Sequence, residues 1–397
     1  MTVESQRELL ELALANNPQY MAKQAQLGQS ESEQGKVNWL PDPTIGLGAF
    51  LEPVETAQGP QIAKISFAQN IPWLSKVKAA QKRSLHQTGI AKAELDEFRL
   101  GMQKEIDLIW SEVEYVQTLK EIYREKIEFL ANLEDVLSIQ YQSGSVSHAG
   151  FSKTQMQLLR YNDKLEDLES RMTRIRLNVG ELLGLDQPVK APFFPIIIDT
   201  NEPHDELELV TSNHPRVEKL DQQLAVSHAR QELARAAFIP DVRIGMDYIL
   251  TGKREVAGIE VDDSGKDALV LSAGLAIPIW SWSSKRSELK ASEWGEKQVM
   301  AMKRAQEINI RTQYELNLSR LTESKRQVEL ISSELLPRSR EILNVIQQEY
   351  VSQSADISKL NRANQSLLDL ELELASAHFS THKSEIELNY LRGLTYE

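Results

Sequence analysis

Between Pro72 and Pro188 the chain contains no proline, and beyond Pro278 it contains only Pro337. Proline removes a helical hydrogen bond and clashes with the preceding turn, so two proline-poor stretches of this length permit helices far longer than those of ordinary globular domains. In the first stretch the apolar residues Ile106, Ile109, Val113, Val116, Tyr123, Ile127, Leu130 and Leu137 keep heptad spacing, with Lys120 and Glu134 as exceptions. Such a stripe predicts one coiled-coil-like helix from Ser75 to Gln142, on the order of 100 Å long at about 1.5 Å per residue. Pro337 is expected to kink its counterpart in the second stretch.

The two stretches belong to an internal duplication. "LALANNPQ" (12–19) is echoed by "LVTSNHPR" (209–216), "LPDPTIG" (40–46) by "IPDVRIG" (239–245), and "QNIPW" (69–73) by "LAIPIW" (275–280). "YQSGSV" (141–146) is echoed by "YVSQSA" (350–355) and "LLGL" (182–185) by "LRGL" (391–394), both at an offset of 209. Five echoes in one order define a first repeat over 1–187, a proline-rich connector over 188–204 and a second repeat over 205–397. Each repeat has a helical hairpin whose tip lies near 142–147 or 351–356. Gly144 suits the first reversal, and Gln353 replaces it in the second.

Ahead of each long helix lie two runs of about ten residues that alternate apolar and small or polar side chains. The expected strands cover about 43–52, 61–71, 241–251 and 267–277. In the first, Ile45, Leu47, Ala49 and Leu51 share one face and oppose Thr44, Gly46, Gly48 and Phe50. One apolar face over about ten residues is the pattern of a tilted strand crossing a bilayer, although an amphipathic hairpin on a soluble protein has it too. Placement favours the bilayer: Trp39, Trp73, Trp280 and Trp282 cluster at the helix-facing ends of the runs, where an interfacial aromatic girdle would lie. Four strands cannot close a membrane barrel, which needs at least about eight, and an open edge cannot be left in lipid. A membrane reading therefore requires several copies to share one barrel.

Composition narrows the remaining choices. The chain is acidic, 58 Asp and Glu against 45 Lys and Arg, without a long basic run, which argues against nucleic acid as a partner. There is no cysteine, which excludes thiol catalysis and thiolate metal sites. The opening "MTVESQRELLELAL" is not a signal peptide, so an exported protein would have lost its targeting segment before this start. No phosphate-binding loop, Gly-x-Ser-x-Gly elbow or His-Glu-x-x-His motif occurs, so no catalytic or cofactor-binding residue is assigned and no cofactor is expected. His378 and His382 stand at i and i+4 and could share a metal, but no third ligand is evident and packing histidines are the expectation.

The ordered set of "NP/HP" helix starts, "PD" strand entries, "QNIPW", the "YxSG" turn and the "LLGL" helix end resembles the TolC-like outer-membrane efflux family, over essentially the whole chain. The wording of "PDPTIGLG" and "SFAQNIPWLSK" is most similar to the heavy-metal branch serving resistance-nodulation-division pumps. The resemblance implies a mainly helical protein with a membrane β-barrel portion: a homotrimer in which twelve strands form the barrel in outer-membrane lipid and twelve helices form a periplasmic tunnel. It implies a passive duct for metal ions or small toxic compounds, docked onto a periplasmic adaptor and a proton-driven inner-membrane pump. A protein-secretion duct of the same fold and a soluble helical scaffold stay open as alternatives. By resemblance the adaptor would meet the tips at Gly144, Ser145, Val146, Gln353, Ser354 and Ala355. Where relatives carry acidic residues at the entrance, this chain has Lys359 and Arg362, with Asp356 the nearest acid. Those three are expected to form inter-chain pairs at the gate.

Overall fold

The computed structural model describes residues 6–37, 40–142, 147–185, 214–352, 354 and 356–395. The expected sites at Trp39, Gly144, Ser145, Val146, Gln353 and Ala355, and the connector over 188–204, lie outside the described residues. The elements run α1 (Gln6–Asn16), α2 (Pro18–Gly35), β1 (Thr44–Ala49), β2 (Glu55–Thr56), β3 (Gly59–Ile71), α3 (Leu74–Gln142) and α4 (His148–Leu182). After the connector come α5 (Pro215–Ala236), β4 (Asp241–Thr251), β5 (Glu255–Val256), β6 (Ile259–Glu260), β7 (Ala268–Ala276), α6 (Trp282–Glu329), α7 (Leu336–Val351) and α8 (Ile357–Leu391). They form two compact units, each assembled from parts of both repeats.

One unit comprises Met1–Gln24, Glu94–Val217 and Gln306–Glu397 and is helical wherever its regular structure is described. The heptad stripe of α3 supplies its core: Ile106, Ile109, Val113, Val116, Leu130 and Leu137 are buried. They pack with Leu168, Met172, Ile175 and Val179 of α4 in one cluster, and with Leu360, Leu367 and Leu368 of α8 in another. Each fully buried aliphatic side chain of this kind contributes roughly 1.5–3 kcal/mol. The two polar exceptions in the stripe are answered by α4: Lys120 Nζ lies 2.5 Å from Glu169 Oε1, and Gln155 Nε2 donates to Glu134 Oε1 at 2.7 Å.

The helix boundaries in this unit follow capping chemistry. Asn17 interrupts α1 and α2, and its Oδ1 accepts from the Gln19 and Tyr20 amides at 2.9 and 3.0 Å. Its Nδ2 donates to the Leu182 carbonyl at 2.9 Å, tying the start of the repeat to its end. At that end Gly184 has φ +65°, and a Cβ there would sit 2.6 Å from the Asn16 carbonyl oxygen, so "LLGL" is a glycine-terminated helix stop. Between α6 and α7, Leu330–Leu335 form a π-helical turn just ahead of Pro337. Widening the turn accommodates a residue that has no amide hydrogen and crowds the preceding carbonyl, so the place where a kink was expected carries a local change of helix type.

The other unit comprises Ala25–Ala93 and Glu218–Ala305 and contains every described strand. Its main sheet is antiparallel in the order β1-β3-β4-β7, with β2 added to the outer end of β3. Polar contacts join its helices: Lys82 Nζ lies 2.9 Å from Glu232 Oε2, His86 Nδ1 lies 2.9 Å from Gln222 Oε1, and Lys303 pairs with Asp221.

Candidate functional site

The ladder register decides which side chains share a face. Ile45, Phe67, Met246 and Leu271 stand in one row across the four strands, and Leu47, Ile65, Tyr248 and Leu269 in the next. Ile71, Val242 and Leu275 continue the same face. The opposite face carries Gly46, Ser66, Asp247 and Val270 in one row, and Thr44, Ala68, Gly245 and Ser272 in another. Because side chains alternate with period two, a slip of one residue in any pair would have mixed the faces. The apolar rows are exposed: Leu47 is 82% accessible, and Ile45, Leu269, Leu271 and Leu275 are exposed with it. A continuous apolar sheet face of this extent marks an interaction surface. The small and polar face holds an ion pair, Lys64 Nζ to Asp247 Oδ1 at 3.1 Å.

At the helix-facing end of the sheet, Trp73, Trp280 and Trp282 are exposed, Trp280 at 96%. Trp282 makes an edge-on contact with Phe238, ring centroids 4.8 Å apart. A polar junction lies beside them. Lys76, in the first turn of α3, reaches Asp241 Oδ1 at 2.7 Å and the Ile239 carbonyl at 2.8 Å, and the Trp73 amide donates to the same Asp241 oxygen at 3.3 Å. Lys285, in the first turn of α6, donates to the Ala237 carbonyl at 2.5 Å. Two lysines thus satisfy carbonyls left open past the end of α5. In the sequence neither lysine stands out, since each reads as one charge among many.

At the described part of the second tip, Asp356 caps α8, its Oδ1 accepting from the Ser358 amide at 3.2 Å. It occupies the place of Ser147, which caps α4 at the same offset of 209. Lys359 Nζ lies 2.6 Å from Glu349 Oε2, and Arg362 Nε donates to the Ser358 carbonyl at 3.3 Å. The three residues expected at the gate are thus brought together on one helix start, and these contacts stay local to the tip. Ser354 donates to the Glu349 carbonyl at 3.0 Å. Tyr350 donates to Gln140 Oε1 at 2.8 Å, joining the tips of the two repeats. Further along α8, His382 Nδ1 stands 3.5 Å from Glu114 Oε2, and burial and the neighbouring His382 hold His378 below the usual imidazole range. Among the described residues no group of three or more His, Asp or Glu side chains is arranged to hold a metal.

Residues 207–394 match the family described as outer membrane efflux protein. In solved structures the fold recurs over nearly the entire chain. The outer membrane protein VceC of Vibrio cholerae superposes with a TM-score of 0.81 at 15% identity, covering 99% of this chain and 97% of that one. The chain thus shares the fold of these outer-membrane channels along its length, and over 207–394 it is similar in sequence to outer membrane efflux proteins. The outer-membrane channel OprN gives a TM-score of 0.82 at 15% identity, covering 98% of this chain and 89% of that one. CusC, described by its transmembrane channel formation, gives 0.81 at 12% identity, covering 98% and 92%. No curated protein matches the chain in sequence.

Proposed function

We propose that the chain is the outer-membrane exit duct of a tripartite efflux system in a Gram-negative bacterium. It conducts metal ions or small toxic compounds passively, and the energy comes from a proton-driven inner-membrane pump reached through a periplasmic adaptor. The observation that carries this reading is the apolar sheet face, continuous in register across four strands and exposed, with an indole-rich end. In water such a face would associate unspecifically, whereas in a bilayer it is solvated by lipid. Three copies close twelve strands into one barrel and remove every open edge from the hydrocarbon. The polar face then lines the lumen, Trp73, Trp280 and Trp282 mark the periplasmic membrane surface, and the helical tips meet the adaptor. Asp356, Lys359 and Arg362 ring the entrance. The protein catalyses nothing in this reading, and supplies a wall, an entrance and a docking surface.

Membrane fractionation combined with chemical cross-linking tests the reading. A duct of this kind is recovered with the outer membrane and runs in detergent as a heat-sensitive trimer. A detergent-free soluble monomer or dimer would overturn it.

A further inference from the structure

The duplication relates the two hairpins residue by residue. The first strand of each hairpin aligns at an offset of 199, Asp42 to Asp241, and the second at 206, Ile71 to Ile277. Applying both shifts to the observed pair Ile45↔Phe67 gives Ile244↔Ala273, which is an observed pair of the other hairpin. The two hairpins are therefore the same object in the same register. The long helices that follow align at 209, which carries Tyr141 to Tyr350 and also Lys76 to Lys285.

Within the chain the first hairpin is joined to the second through β3 and β4, with Phe67 opposite Met246 and Gln69 opposite Ile244. The other two edges, on β1 and β7, have no strand partner among the described residues, and the side chains of both strands are exposed nearly throughout. Shifting the internal seam by the same offsets converts Gln69↔Ile244 into Leu275↔Ile45 and Phe67↔Met246 into Ala273↔Leu47. Both new pairs fall on the apolar face, and the intervening pair, Gly274↔Gly46, falls on the small and polar face. A seam displaced by one residue would put glycine against the lipid-facing row.

We propose that β7 of one copy pairs with β1 of a second copy in the register Leu275↔Ile45, and that Lys285 of the first copy forms an ion pair with Asp42 of the second. The ion pair is the counterpart of Lys76–Asp241, since Asp42 stands where Asp241 stands and Lys285 where Lys76 stands. Asp42 is exposed in the single chain. An ammonium group has three donors, so Lys285 keeps its bond to the Ala237 carbonyl while it binds the incoming carboxylate. This inference rests on the shared-barrel reading and adds the register and the contact that close it.

The absence of cysteine makes the register directly testable. Ile45→Cys/Leu275→Cys and Gly46→Cys/Gly274→Cys are oxidised in isolated membranes and run without reductant, beside Leu47→Cys/Leu275→Cys as the pair shifted by two. Adjacent pairs sample both the hydrogen-bonded and the non-hydrogen-bonded positions of an antiparallel ladder, so at least one has disulfide geometry. Expected is a ladder of covalent oligomers from a matched pair, several-fold stronger than from the shifted one. A stronger shifted pair overturns the register while leaving a shared barrel intact. No cross-link from any pair, in a protein that is monomeric in detergent, overturns the shared barrel itself. In parallel, Asp42→Lys, which sets two lysines against each other, is expected to lower the temperature at which the oligomer dissociates in detergent, and Asp42→Lys/Lys285→Asp to restore part of the loss, net of the Ala237 carbonyl bond that Lys285 gives up. Failure of the exchanged pair to restore any of it removes the ion pair from the proposal.

Discussion

Lys359 Nζ lies 2.6 Å from Glu349 Oε2 and bridges α7 and α8 across the reversal at the tip. Both side chains are substantially exposed, so the pair contributes at most about 1 kcal/mol. Its consequence is for charge placement: Glu349 holds the Lys359 ammonium beside its own hairpin, while Arg362 one turn on donates to the Ser358 backbone carbonyl. If these cations line a closed entrance, Arg362→Glu and Lys359→Glu trimers in planar bilayers will show raised conductance and a shift toward cation selectivity. Glu349→Gln, which releases Lys359, will shift selectivity the other way. Unchanged currents in all three variants would remove these residues from the entrance.

His214 places a titratable cap at the start of the second repeat where the first repeat has Asn17. Its Nδ1 accepts from the Arg216 amide at 3.2 Å, taking the capping role that Asn17 plays in repeat one. The ring is fully buried against Tyr390, and its Nε2 has no hydrogen-bond partner among the described residues. Burial, with the nearby Arg216 guanidinium second, lowers its pKa to about 4 from the usual 6.5. The native state thus holds the neutral ring while the unfolded chain takes up a proton below about pH 6.5. Stability from this site is complete above pH 6.5 and is lost as the pH falls toward 4, by roughly 3 kcal/mol in all. Urea unfolding in detergent should show that loss, and His214→Asn should flatten it while keeping the cap. An unchanged slope in that variant would place the acid sensitivity elsewhere.

How much of this was legible follows from how local each determinant is. The strand faces could be read because period-two alternation is written in neighbouring residues, and β4 (Asp241–Thr251) begins and ends where the alternation does. The heptad stripe was legible for the same reason, down to Lys120 and Glu134 standing out as exceptions. Their partners, Glu169 and Gln155, were not, since only the folded hairpin brings α4 alongside. The π-helical turn before Pro337 was visible only as an expected kink, because the sequence carries the obstacle and the backbone chooses the detour. At the tip, Asp356 reads as a charge until the offset of 209 sets it on Ser147 and makes it a helix cap. The junction lysines are similar: Lys76 gains meaning only from Asp241, 165 residues away.

The least legible feature was a buried charge. Lys126 and Glu371 meet at 2.8 Å with side chains 8% and 13% exposed, and Arg340 approaches the other Glu371 oxygen at 3.8 Å. Removing one partner leaves an uncompensated charge near a packed cluster, which costs about 3–5 kcal/mol, whereas replacing both with apolar groups is often neutral. Lys126→Met should therefore lower thermal stability sharply, and Lys126→Met/Glu371→Leu should recover most of it. The measurement is the unfolding midpoint of both variants by circular dichroism in the same detergent. A double variant no more stable than the single one would show that the pair stabilises beyond the sum of its desolvation costs.

Trp280 and Trp294 are both exposed, at 96% and 69%, yet only the first lies at the end of the sheet. Trp294 is twelve residues into α6 from Trp282, about 18 Å along the helix at 1.5 Å per residue, so the proposed membrane surface passes between them. Trp110 is buried in the helical unit and should report neither lipid nor water. In vesicles of brominated lipid, fluorescence of the wild-type protein should be quenched, and Trp280→Phe should remove part of that quenching. Trp294→Phe should leave the lipid-quenched component intact while removing emission accessible to iodide from the aqueous side. If Trp294→Phe instead removes as much lipid quenching as Trp280→Phe, the indoles do not mark a level and the membrane boundary drawn at the strand ends is wrong.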